Sequence, residues 1–173
     1  YAKLTNEMRY FFSSSNTSRG NRPLGFNKDE IFFDNLYGYV KGIPNVPVEL
    51  TIGRQDLMYG DYFIFVDGTP TDGSRSFYFN AAKGVVKFGD KHSDDLIYIR
   101  DQPEENSLPI MFSAPKRNLT AYHEEAVAVY GRTKPLEGLG LEPYYVWKTE
   151  FAAQSGTTFD PNKVLRLNTF GMR

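Results

Sequence analysis

A period of two limits the fold more than any other feature of this chain. In VELTIGRQ, residues 48–55, Val48, Leu50 and Ile52 alternate with Glu49, Thr51 and Gly53, and the run ends in the polar cluster Arg54, Gln55 and Asp56. Successive side chains of a strand point to opposite faces, so aliphatics gather on one face and polar groups on the other. LEPYYVWKTEF, residues 141–151, repeats the pattern: Leu141, Tyr145, Trp147 and Phe151 share one face, and Glu142, Tyr144, Val146, Lys148 and Glu150 the other. No segment carries a sustained helical stripe. TAYHEEAVAVYGR comes nearest, yet its Val127 and Val129 alternate with Ala126, Ala128 and Tyr130. The fold class is therefore all-β. A half-buried strand of a soluble sheet shows this alternation, and so does a membrane barrel wall with lipid outside and water inside.

About eight strands are expected, near 7–13, 30–41, 47–56, 75–88, 95–101, 124–132, 141–151 and 164–173. Several have the length of about 9–11 residues that a tilted strand needs to cross a bilayer. The connections fall into two kinds. KGIPNVP (41–47) and LEGLG (136–140) are short, rigid reversals. SSSNTSRGNRPLGFNKD, YGDYFIFVDGTPTDGS, DQPEENSLPIMFSAPKRNLTAY and AAQSGTTFDPNK are long and polar. Alternating short and long turns suit an antiparallel up-and-down barrel with short periplasmic turns and long outer loops. Glycines within strands (Gly38, Gly53, Gly84, Gly131 and Gly171) mark places where a wall bends or a neighbour lies close.

Composition narrows the classes. The net charge of −1 gives no electrostatic case for nucleic acid. The chain has no cysteine, which excludes disulfides, thiolate metal sites and cysteine nucleophiles. Aromatic residues make up 16% of it, a content that favours strands and suits the interfacial girdles of membrane barrels. YFIFV, RYFF, EIFF and FYF are expected in such girdles, at strand ends beside polar loops. No apolar run is long enough for a membrane helix.

DNLYGYVKGIPNVPVELTIGRQDLMYGD, followed by DGTPTDGSRSFYFNAAKG, resembles the alginate-export family of Gram-negative outer-membrane barrels. GRQ with YGD after it, and the DGSRSFYF strand entry, carry the resemblance; LEPYYVWKTE and LNTFGMR are similar to later wall strands. It covers about Asp34 to Arg173. The family's members are longer and close as large monomeric barrels. The resemblance implies that residues 1–173 form one β-barrel domain, the N-terminal part of a larger barrel in the cell outer membrane, with strands elsewhere to cover the two open edges.

The expected lining of the solute path is Glu49, Thr51, Arg54, Asp56, Asp72, Arg75, Lys83, Arg132, Glu142, Lys148, Glu150 and Arg166. Arg54 and Arg75 suit contact with an anionic group, but bracing Arg–Asp pairs within the wall are the preferred reading of both. Lys83, Lys87, Arg100, Arg132, Lys148 and Arg166, if turned inward, would form a cationic track; Glu49, Glu142 and Glu150 oppose a purely cationic lumen. Asp67 and Asp72 lack the spacing of a calcium loop and read as turn residues. His92 and His123, the chain's two histidines, read as loop residues without the partners that a zinc site or triad needs. No nucleotide-binding or hydrolase motif is present.

The expected protein is a non-enzymatic, cofactor-free outer-membrane channel. Its partners are outer-membrane lipid and a polar or anionic solute, polysaccharide included. Two alternatives remain open at this point. One is a structural barrel that anchors other envelope proteins. The other is a soluble all-β carbohydrate-binding module.

Overall fold

The structure, a computed structural model, describes residues 1–12, 15–17, 20–22, 25–42, 44, 46–65, 78–102, 108, 112–113, 123–151 and 164–173. Asp67, Asp72, Arg75 and the first residues of the strand expected from 75 lie outside these. Twelve strands occur among the described residues: β1 (Ala2–Phe11), β2 (Ser15–Thr17), β3 (Gly20–Arg22), β4 (Gly25–Val40), β5 (Val48–Gln55), β6 (Phe79–Phe88), β7 (His92–Asp101), β8 (Phe112–Ser113), β9 (His123–Leu136), β10 (Leu139–Leu141), β11 (Pro143–Phe151) and β12 (Val164–Met172). The main sheet runs β1-β4-β5-β6-β7-β9-β11-β12 and is antiparallel throughout. Its order follows the sequence, so the topology is up-and-down. Among the described residues both ends are open: β1 pairs only with β4, and β12 only with β11.

The eight expected strands correspond to these eight. The four short ones were not expected. β2 and β3 form a separate hairpin in the first long connection, β8 adds to β4, and β10 extends the turn after β9. Short connections follow β4, β6 and β9, and long ones follow β1, β5, β7 and β11. In an up-and-down sheet, strict alternation gathers every short turn at one end and every long one at the other.

The register sorts the faces. One row across the sheet reads Val40, Leu50, Gly84, Leu96, Val129, Tyr145, Phe170. The next on that face reads Gly38, Ile52, Ala82, Tyr98, Val127, Trp147, Asn168. Apart from Asn168 these positions are apolar or aromatic, and they are open to the surroundings: Ile52 is 54% exposed, Leu96 56% and Val129 41%. The opposite face carries Tyr37, Tyr39, Glu49, Thr51, Lys83, Asp95, Arg132, Lys148 and Glu150, and here the core also lies.

That core was not foreseen. Residues 56–65, which follow β5, fold back over the polar face. Leu57, Tyr59 and Phe65 bury against Ala81, Ile97, Ile99, Ala126, Ala128 and Tyr130. The alanines leave the depth that Leu57 and Phe65 occupy. Phe65 therefore sits in the core and not in an interfacial girdle, as YFIFV had suggested, although Tyr62 and Phe63 stay exposed. Phe32 of EIFF and Tyr78 of FYF are likewise buried, while Tyr10 and Phe12 of RYFF are exposed. The aromatics thus divide between core and surface.

Gly53 lies just before this return, at a position where only glycine fits. Its φ of +129° is open to glycine, and a Cβ there would lie 2.3 Å from the Leu36 carbonyl oxygen. At the far end of the segment Asp61 and Tyr62 adopt positive φ, 49° and 70°. Backbone hydrogen bonds between Tyr59 and Phe65 close this turn, and an ion pair from Arg173 to Asp61 ties it to the end of β12.

Candidate functional site

The polar face divides into three groups. The first is a groove of about 490 Å³ across β1, β4, β5 and β6, lined by Tyr1, Lys3, Asn35, Tyr37, Tyr39, Glu49, Thr51, Gln55, Asp56, Lys83 and Val85. Alternation brings Tyr37 and Tyr39 to this face beside Thr51 and Glu49. The Tyr1 and Tyr37 rings stack with centroids 5.1 Å apart. Glu49 is held on both oxygens: Lys87 Nζ binds Oε1 at 2.6 Å, and the Tyr39 hydroxyl donates to Oε2 at 2.9 Å. Asn35 Nδ2 donates to Asp56 Oδ1 at 2.8 Å. Gln55 Nε2 donates to the Thr51, Gly53 and Ala81 carbonyls. Lys3 bridges to Asp34. Lys83 has no carboxylate partner among the described residues.

The second group latches residues 56–65 to the sheet. The Tyr59 hydroxyl donates to Asp95 Oδ2 at 2.6 Å, and Arg132 Nη1 donates to Oδ1 at 2.9 Å. Asp95 is 2% exposed, so both hydrogen bonds compensate for a charge taken out of water. Burial first, and the Asp95 hydrogen bond second, push the Tyr59 hydroxyl above the usual phenol range. The Arg132 guanidinium also lies over the Tyr59 and Tyr130 rings, 5.3 and 5.1 Å from their centroids. The Tyr130 hydroxyl donates to Glu142 Oε2 at 2.6 Å, and Arg173 pairs with the same carboxylate. The third group joins Lys148 to Glu124 at 2.9 Å and to Glu150 at 2.7 Å.

Of the expected lining residues, Glu49, Thr51, Asp56 and Lys83 meet in the groove, Arg132 and Glu142 in the latch, and Lys148 and Glu150 in the third group. Two do not belong with them. Arg166 pairs with Thr149, on the face of Trp147 and Phe151, so it lies opposite Lys148 and Glu150. Arg54 is on hand at the end of β5 but only 1% exposed. Its Nη1 donates to the Phe33 carbonyl at 2.7 Å, Nε donates to Asn80 Oδ1 at 3.4 Å, and the guanidinium covers the Tyr78 ring at 3.6 Å. It braces the wall and has no access to a solute. Asp72 and Arg75 lie outside the described residues.

The cationic track is corrected in the same way. Arg100 pairs with Glu125 on the apolar face's side of the sheet, and Lys87, Arg132 and Lys148 are each neutralised by a carboxylate. The histidines are the first residues of β7 and β9, not loop residues, and each faces a nearby acid, Asp94 or Glu125. Sequence reasoning missed Asp95, Asp101 and Glu124. The alternation of Asp95, Ile97, Ile99 and Asp101 carried that signal. No groups of acids and histidines among the described residues converge as a metal site. No family model, curated protein or solved structure matches this chain.

Proposed function

We propose that this chain is part of the wall of an outer-membrane β-barrel channel for polar solutes, anionic ones included, built like the alginate-export barrels it resembles. The observation that carries the reading is the two-sided sheet. Apolar rows cross every long strand from β4 to β12 on the exposed face, while the other carries the lysine and arginine ion pairs Lys87–Glu49, Arg132–Asp95 and Lys148–Glu150 around the core that residues 56–65 close. A patch so wide needs an apolar environment, and a bilayer supplies one to a sheet whose backbone is hydrogen-bonded within itself. Segregated short and long connections suit the same architecture. The open edges of β1 and β12 would pair with further strands of the complete barrel.

In this reading the polar face lines water and no chemistry is performed. Residues 56–65 narrow the lumen as an inward-folded segment. Because most described lysines and arginines on that face have a carboxylate partner, the channel discriminates weakly by charge.

The test is single-channel recording of the full-length protein in planar bilayers, with reversal potentials under a salt gradient. Discrete steps with a cation-to-anion permeability ratio near unity are expected. A protein that stays soluble without detergent and gives no steps would overturn the channel and the membrane placement together. A detergent-dependent protein without steps would leave a sealed, structural wall.

A further inference from the structure

The groove across β1, β4, β5 and β6 has an uneven hydrogen-bonding inventory. Its side chains are mostly committed to one another: both Glu49 oxygens, the Tyr39 hydroxyl, the Asn35 amide and the Gln55 amide nitrogen. Beside the hydroxyls of Tyr1, Tyr37 and Thr51 and the second Asp56 oxygen, two features are left over. One is the flat surface of the Tyr1–Tyr37 pair. The other is Lys83, at the middle of β6 between Thr51 of β5 and the fully buried Ile97 of β7. Its ammonium has no carboxylate partner among the described residues, although it lines the same space of about 490 Å³.

We infer that this groove is a binding site for a small aromatic carboxylate, its ring on the tyrosine shelf and its carboxylate on Lys83. A lysine with its stem against apolar neighbours and its charge unanswered gains most from an anion brought into direct contact. Ring stacking on tyrosine supplies the rest. The ligand class follows from what the groove cannot offer. A sugar acid brings several hydroxyls that need partners, and Glu49 and the Asn35 and Gln55 amide nitrogens are already engaged, which leaves a few hydroxyls and one Asp56 oxygen to answer them; hydroxyls left unpaired on binding cost affinity. An aromatic ring makes no such demand. An aromatic cation is excluded from the Lys83 end by like charge. Asp56 is the groove's remaining acid, and Asn35 holds one of its oxygens. The groove is therefore close to neutral in sum, and the carboxylate is recognised by contact with Lys83, not by a long-range field.

The site rests on the polar face being open to water, as the proposed channel requires, but its test does not depend on conductance. Benzoate is titrated into the detergent-solubilised full-length protein and followed by calorimetry and by the NMR signal of the Lys83 side chain. Saturable one-to-one binding is expected, with benzylammonium and glucuronate at least about tenfold weaker. Lys83→Met should weaken benzoate by on the order of tenfold, and Lys83→Arg should retain it. Equal binding of benzoate and benzylammonium, preference for glucuronate, an unchanged Lys83→Met, or no saturation overturns the assignment. The three ligands compared on the unaltered protein decide it even if Lys83→Met fails to fold. A channel that conducts without binding benzoate sinks the site alone; binding without conductance sinks the channel alone.

Discussion

Leu96→Arg should lower folding stability in a lipid bilayer by about 2–4 kcal/mol, the usual cost of a cation at mid-depth on a barrel's outer face. Leu96 stands in the centre of the sheet, between Gly84 of β6 and Val129 of β9, and is 56% exposed. Exposure decides the argument. If water covered this face, an exposed leucine could be replaced by arginine within about 0.5 kcal/mol. If lipid covers it, the guanidinium must be dragged through hydrocarbon or thin the bilayer locally. Leu167→Arg is the control. Leu167 pairs with Lys148 and belongs to the polar face, where it is 49% exposed, and the change there should be close to neutral. Denaturant unfolding in vesicles, read from the single tryptophan, Trp147, measures both. Trp147 itself lies on the apolar face, so brominated acyl chains should quench it and aqueous iodide should not. Equal, small costs for the two arginines would remove lipid from that face.

The sheet was legible because alternation is written locally. Val48, Leu50 and Ile52 declare a face without reference to any other part of the chain, and the turns at 41–47 and 136–140 declare the reversals. The eight long strands follow from those two signals. What packs on a face depends on contacts far apart in sequence, and there the reading failed. YFIFV has the composition of a girdle, yet Phe65 finds a deeper site over Ala126 and Ala128. Nothing near residue 65 announces those alanines. Arg54 has the same history. Its neighbours Gln55 and Asp56 made it look like part of a wet cluster, but the Phe33 carbonyl, Asn80 and the Tyr78 ring enclose it. The pairing of Lys87 with Glu49 and of Arg132 with Asp95 needed the register, and with it most of the cationic track resolved into ion pairs or turned to the opposite face, Lys83 excepted.

Arg132→Met should loosen residues 56–65 and, in the proposed channel, widen the lumen. The substitution keeps an unbranched apolar stem and removes the charge that answers Asp95. Losing one partner of a fully buried pair costs about 3–5 kcal/mol. Here the Arg132 side chain is 42% exposed, so water replaces part of the loss, and about 2 kcal/mol is expected. In Tyr59→Phe the Arg132 guanidinium remains on Asp95, so that variant should cost only about 1 kcal/mol. Asp95→Asn combined with Arg132→Met removes the stranded charge, and most of the stability should return. The two readouts then separate. Stability depends on whether Asp95 is compensated, whereas the width of the lumen depends on whether the segment is held down. The double variant should therefore be nearly as stable as the parent but conduct more, and a protease should cut it faster within residues 56–65. A double variant as unstable as Arg132→Met would mean that the latch acts through packing of Arg132 on the Tyr59 and Tyr130 rings and not through the Asp95 charge. Unchanged conductance in every variant would mean that the segment does not bound the path at all, and the constriction would have to lie elsewhere along the wall.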